Sequence, residues 1–200
     1  MKRLILLVPA LILVSGLNAF AADKPVPMDP KMLEMMKKYE AAATPGEPHK
    51  VLADIAGNWK TVTQMWESPD SKAKSSKGTS NFKMVLGGRW LQQEFKGNMM
   101  GKPYQGMGLI GYDNVKQKYQ TNWFDSMSTG SLKSEGDFDV STKTLKDSGT
   151  MSSPVTPSKT QEIRSEWQMV DKKKMIFSMF GKGPVESGPE FKMMEIVYTR

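Results

Sequence analysis

The stretch from Met84 to Gly130, MVLGGRWLQQEFKGNMMGKPYQGMGLIGYDNVKQKYQTNWFDSMSTG, constrains the fold more than any other part of the chain. Short runs rich in aromatic and branched residues are broken by Gly-Gly, Asn-rich and Asp-Asn punctuation, the pattern of strands joined by hairpins. No helical period separates the runs, so neighbouring strands are antiparallel rather than linked by crossovers. Gly87-Gly88 reads as a two-residue turn that tolerates positive φ and pairs Leu86 with Arg89. Phe82, Met84, Leu86, Leu91 and Phe95 then share one face, and Lys83, Gln92, Glu94 and Lys96 the other.

The same reading extends along the chain. Strands are predicted at 59–67, 79–86, 89–95, 104–112, 118–126, 132–140, 144–150, 160–170, 174–180 and 191–200, separated by polar or Gly/Pro-rich loops such as Ser68 to Gly78. In the sixth, Leu132, Phe138 and Val140 face inward between Lys133, Glu135, Asp137 and Asp139. In the eighth, Ile163, Trp167 and Met169 face inward and Glu162, Arg164, Glu166 and Gln168 outward. Gly106, Gly108 and Gly111 predict a bend or a close backbone approach in the fourth. A sheet this long closes on itself and removes its edges. The predicted class is all-β, an antiparallel up-and-down barrel of about ten strands, wide enough to hold a small ligand.

Residues 1–21 read as a cleaved signal peptide: Lys2-Arg3, the apolar run Leu4 to Leu17, and an Ala19-Phe20-Ala21 exit. The run falls short of the ~20 residues of a membrane span, so a periplasmic or secreted protein is expected, not an integral membrane protein. With no Cys there is no disulfide and no lipid-attached leader, and packing and sheet closure supply the stability. Residues 22–48 hold a linker and one N-terminal amphipathic helix, started by Asp29-Pro30 and ended near Ala43 by Pro45-Gly46. Such a short helix needs a surface to dock on, and the open end of the barrel is the expected one. His49 is read as a solvated loop residue before a helical turn over 50–56, and the barrel domain as 49–200.

Charge excludes little. Lys and Arg exceed Asp and Glu by 28 to 21, scattered without a basic stripe, so no nucleic-acid partner is expected. With no Cys, one His and no G-x-S-x-G or H-E-x-x-H, the residues of the usual nucleophilic and metal hydrolase sites are missing. Asp125 and Glu195 lie among large apolar neighbours and are candidates to point inward. Arg89 is placed beside Leu91 as an anchor for a ligand carboxylate. The candidate pocket is Phe82, Met84, Arg89, Leu91, Phe95, Trp123, Asp125, Trp167, Met169 and Glu195. Met28, Met32, Met35 and Met36 place thioethers on nearby turns and form a candidate Cu(I) set.

Gly57-x-Trp59 with Arg200 on the last strand resembles the calycin pattern of lipocalin-like barrels. The resemblance implies that Arg200 lies across the Trp59 indole and joins the first and last strands. Leu86-Gly87-Gly88-Arg89, Gly108-x-x-Gly111-Tyr112-Asp113 and Trp123-x-Asp125-Ser126 are similar to the bacterial family of domain of unknown function 1579, from about His49 to Arg200. That family implies the barrel and no catalytic residue. Some lipocalin-like ten-stranded barrels bind haem through a wall His, and this chain has no His beyond His49. The expected function is an exported, non-catalytic barrel binding a small apolar or amphipathic molecule, lipid-like or fatty-acid-like, without a cofactor. A structural or partner-binding barrel of the cell envelope is the alternative, ahead of an enzyme or a methionine-based Cu(I) protein.

Overall fold

Asp29 caps the first helix: its carboxylate accepts from the Lys31 backbone N–H at 2.9 Å and its carbonyl from that of Leu33. Helix α1 (Pro30–Ala43) ends before Pro45-Gly46 as predicted and buries none of its residues. The computed structural model describes residues 28–182 and 188–200, so the leader falls outside it. Contacts divide the chain into two units, Met1–Lys37 and Lys38–Arg200. In the second, Asn114 donates to the carbonyls of Ala42 and Thr44 at 3.0 and 2.8 Å, fixing the end of α1.

Helix α2 (Glu47–Ala53) begins at Gly46, and His49 belongs to it rather than to a solvated loop. His49 is buried because its Nδ1 accepts the Gly46 backbone N–H at 3.1 Å, serving as the reciprocal partner of a capping box. Its ring packs edge-on against Tyr112. Burial, and then the nearby Arg89 charge, hold the imidazole pKa below its usual value.

Ten antiparallel strands follow: β1 (Gly57–Met65), β2 (Lys74–Val85), β3 (Trp90–Met99), β4 (Lys102–Asp113), β5 (Lys118–Asp125), β6 (Leu132–Asp139), β7 (Thr144–Ser152), β8 (Thr160–Asp171), β9 (Lys174–Gly181) and β10 (Phe191–Thr199). Each pairs with its sequence neighbours, and β1 with β10, so the barrel is closed. The β2–β3 register is the predicted one, Met84 opposite Leu91, but the turn takes Leu86 to Arg89 instead of two residues. Leu86, Gly87 and Gly88 all have positive φ there, so Leu86 leaves the inward face and is exposed. Val140 is likewise exposed, because β6 ends at Asp139 and Val140 enters the next turn.

One end of the barrel is plugged by α2. Leu52 and Ile55 join a core with Trp59, Phe82, Leu91, Ile110, Tyr119, Leu145, Trp167, Met175, Ile196 and Tyr198. Tyr119 Oη and Trp59 Nε1 donate to the carbonyls of Pro48 and Ile55, pinning the plug to the wall. The opposite end carries the connections 66–73, 126–131 and 153–159.

Arg200 crosses the plugged end. Its guanidinium carbon lies 4.2 Å from the Trp59 ring centre, and its nitrogens donate to the carbonyls of Lys172, Ala56 and Asp54 at 2.8, 2.7 and 3.1 Å. Gly57 has φ +131°, and a Cβ there would meet the guanidinium at 3.0 Å. Both facts explain the glycine two residues before the Trp.

Candidate functional site

Alternation along the strands sorts the barrel interior into two layers. Towards α2 it is apolar, and Phe82, Trp167, Phe177 and Tyr198 pack ring against ring at centroid separations of 4.5–6.3 Å. Above this floor runs a polar belt: Thr61 on β1, Ser80 on β2, Gln93 on β3, Thr121 on β5, Ser134 on β6, Asp147 on β7 and Ser165 on β8, all buried.

The belt is only partly satisfied. Gln93 Nε2 donates to Ser80 Oγ at 3.1 Å and to Tyr198 Oη at 3.3 Å, while the other end of the amide has no partner. Thr61 Oγ1 and Ser134 Oγ are also buried without a hydrogen bond. Asp147 receives the Thr121 hydroxyl at 3.3 Å on Oδ2 and the Ser165 hydroxyl on Oδ1. Ser134 stands beside the same carboxylate but makes no hydrogen bond of ordinary geometry. Burial pushes the Asp147 pKa up, and the surrounding hydroxyls only partly oppose it.

Nearer the loop end, Trp123 lies flat over two glycines. A Cβ at Gly106 would sit 2.1 Å from the indole and one at Gly108 3.1 Å from it, so those residues are the close approach that the sequence predicts. The indole N–H is directed to Tyr104 Oη at 3.1 Å and Asp125 Oδ2 at 3.2 Å. Burial raises the Tyr104 pKa, and the Asp125 carboxylate adds to the shift.

The predicted pocket residues therefore divide. Phe82, Leu91 and Trp167, with Met84 and Met169 against them, belong to the packed apolar layer. Phe95, Trp123 and Asp125 line the loop-side half, where Phe95 meets Tyr104 edge-on at 5.9 Å. Arg89 does not face inward: it is exposed in the β2–β3 turn and donates to the Leu86 carbonyl at 3.3 Å. Glu195 also leaves the set. It pairs with Ser178 and Gln64, opposite in facing to the buried Ile196, and forms an ion pair with Lys192 at 2.5 Å. Met28, Met32, Met35 and Met36 are each about half exposed. No group of three or more His, Cys, Asp or Glu converges as a metal site among the described residues. The one imidazole of the chain is held in α2 by the Gly46 cap and is not on the barrel wall.

Asp147 was not singled out from sequence. Its strand, TLKDSGTMS, shows no run of alternating apolar residues, although Leu145 and Asp147 share a parity opposite to Lys146 and Ser148. Two grooves lie on the outer wall. One of about 750 Å³ crosses β10, β1, β2 and β3 between exposed side chains such as Lys60, Asn81, Glu94 and Lys96. The other, of about 420 Å³, follows β7–β9 past Glu162 and Arg164.

Residues 44–200 match the family described as Protein of unknown function (DUF1579). The chain belongs to that family. Its barrel is similar to the crystal structure of Rv2717c from M. tuberculosis, with a TM-score of 0.59 at 12% identity, covering 78% of this chain and 99% of that one. At that identity the likeness is one of fold alone. No curated protein matches the chain. Among the described residues no helix is long and apolar enough to cross a membrane.

Proposed function

We propose that this DUF1579 protein is an exported, non-catalytic binding barrel that takes a small amphipathic molecule through its loop end. The observation that carries the reading is the unpaired polar belt: Thr61 Oγ1, Ser134 Oγ and one end of the Gln93 amide are buried without partners. A buried donor or acceptor left unmade costs about 1–3 kcal/mol, and native cores contain few of them. Three such groups in one interior layer are accounted for by a guest, or guest-bound water, that completes their hydrogen bonds. The apolar floor and the half-buried methionines at inward positions supply the surface for the guest's hydrocarbon part.

Export rests on the leader-like residues 1–21, and the non-catalytic reading on a sequence with no Cys, a single His before the barrel, and neither G-x-S-x-G nor H-E-x-x-H. The test is titration with a neutral solvatochromic dye such as Nile red. Saturable uptake of one dye per barrel, unchanged by Lys96→Glu in the outer groove, is expected. Absence of saturable uptake, or its loss in Lys96→Glu, would contradict an interior site. The alternative of a partner-binding barrel draws on α1, where Met32, Met35 and Met36 form an apolar face with no buried residue. It predicts that removing residues 28–43 abolishes the protein's role in the cell while leaving dye uptake intact.

A further inference from the structure

The barrel interior holds acidic side chains and, among the described residues, no basic one away from its rim. Asp147 and Asp125 occupy inward-facing positions, whereas Lys74 and Lys102 share that parity only at the exposed strand ends on the rim. Lys74 is already paired with Glu67. Asp125 is engaged by the Trp123 indole and the Met127 backbone N–H. Asp147 has two hydroxyl donors, no basic partner among the described residues, and the unpartnered Ser134 hydroxyl beside it.

Register places an apolar track next to this carboxylate. Directly paired inward positions run from Asp147 on β7 to Ser165 on β8, Met179 on β9, Met194 on β10 and Met65 on β1. Paired side chains in a sheet stand about 4.5–5.5 Å apart at Cβ, so the row forms one continuous strip. Three thioether side chains give an adaptable surface for a hydrocarbon chain.

We infer that the interior site selects an amphiphile with a protonated amine, its ammonium group on Asp147 and Ser134 and its chain along Met179, Met194 and Met65. This deepens the proposed function and rests on its interior site. An ammonium group brings three donors and no acceptor, which suits a carboxylate and a free hydroxyl. A carboxylate-headed chain of the same length meets like charge instead.

Calorimetric titration of the full chain with n-octylamine, n-octanol and octanoate tests the assignment. Octylamine is expected to bind at least about tenfold tighter than octanol, with octanoate weakest, as a charge-assisted hydrogen bond requires. Asp147→Asn is expected to erase the amine's advantage over octanol, with near-UV circular dichroism showing that the variant is folded. Octanol binding with no preference for the amine, or a preference that survives Asp147→Asn, would overturn the inference while sparing the interior site. If none of the three binds, the interior site itself fails, and the inference with it.

Discussion

Arg200→Ala removes a side chain that ties the end of the last strand, the β8–β9 turn and the end of α2 together. The guanidinium makes three hydrogen bonds to backbone carbonyls and stacks 4.2 Å from the Trp59 ring centre. Each bond is solvent-exposed, so its net worth is taken at the low end, about 0.5–1 kcal/mol. The exposed cation–π contact adds about 0.5–1 kcal/mol. Together these give a loss of roughly 2–4 kcal/mol, which for a domain of this size lowers Tm by about 5–12 °C. Arg200→Lys keeps the charge but loses the planar fork that spans the three carbonyls, so it is expected to recover less than half of the loss. Thermal unfolding followed by near-UV circular dichroism reads the loss of tertiary packing around the barrel's aromatic side chains, Trp59 among them. A change within about 0.5 kcal/mol, the ordinary range for surface substitutions, would refute the role of Arg200 as the clasp of the barrel.

Asp147→Asn is expected to raise Tm at neutral pH, because it removes a carboxyl whose charged form burial penalises. Because burial raises the Asp147 pKa, the wild-type carboxyl contributes fully to stability below about pH 4 and loses that contribution as pH rises through the folded-state value. The gap between variant and wild type should therefore close on acidification, and a gap that widens would contradict the buried-carboxyl account. Gly106→Ala places a Cβ 2.1 Å from the Trp123 ring and is expected to cost about 1–3 kcal/mol and to shift the Trp123 fluorescence maximum. The same change at Gly101, where nothing lies within 4 Å but φ is +80°, should cost only the backbone strain of about 1–2 kcal/mol and leave the fluorescence unmoved.

Much of the fold was legible because period-two alternation and turn residues act locally. Trp167 and Met169 inward against Glu166 and Gln168 outward, and the Met84–Leu91 pairing, follow from parity alone. The errors fall where parity stops. Leu86, Arg89 and Val140 lie one position beyond a strand end, in turns where alternation no longer sets the side-chain direction. Glu195 is the reverse case. Tyr198 and Ile196 set the inward parity of β10, which places Glu195 outside, opposite Gln64.

The site was less legible than the barrel because its residues are small and polar. Thr121, Ser134, Asp147 and Ser165 come from four consecutive strands and lack the hydrophobic signal that marks a core. Only strand register brings them onto one wall. Phe82, Leu91 and Trp167 announce themselves in sequence, yet in the fold they complete the floor with α2. The helix that plugs the barrel was underrated for its length, since seven residues with Leu52 and the following Ile55 leave almost no helical period to read.

The interior-site account is tested most directly by native mass spectrometry on protein released gently from its own cell envelope, set against its denatured mass. The account predicts an excess of about a few hundred daltons, one molecule per barrel, that is lost on denaturation and is identified as an amphiphile bearing a hydrogen-bond donor. A native mass equal to the denatured one would contradict it.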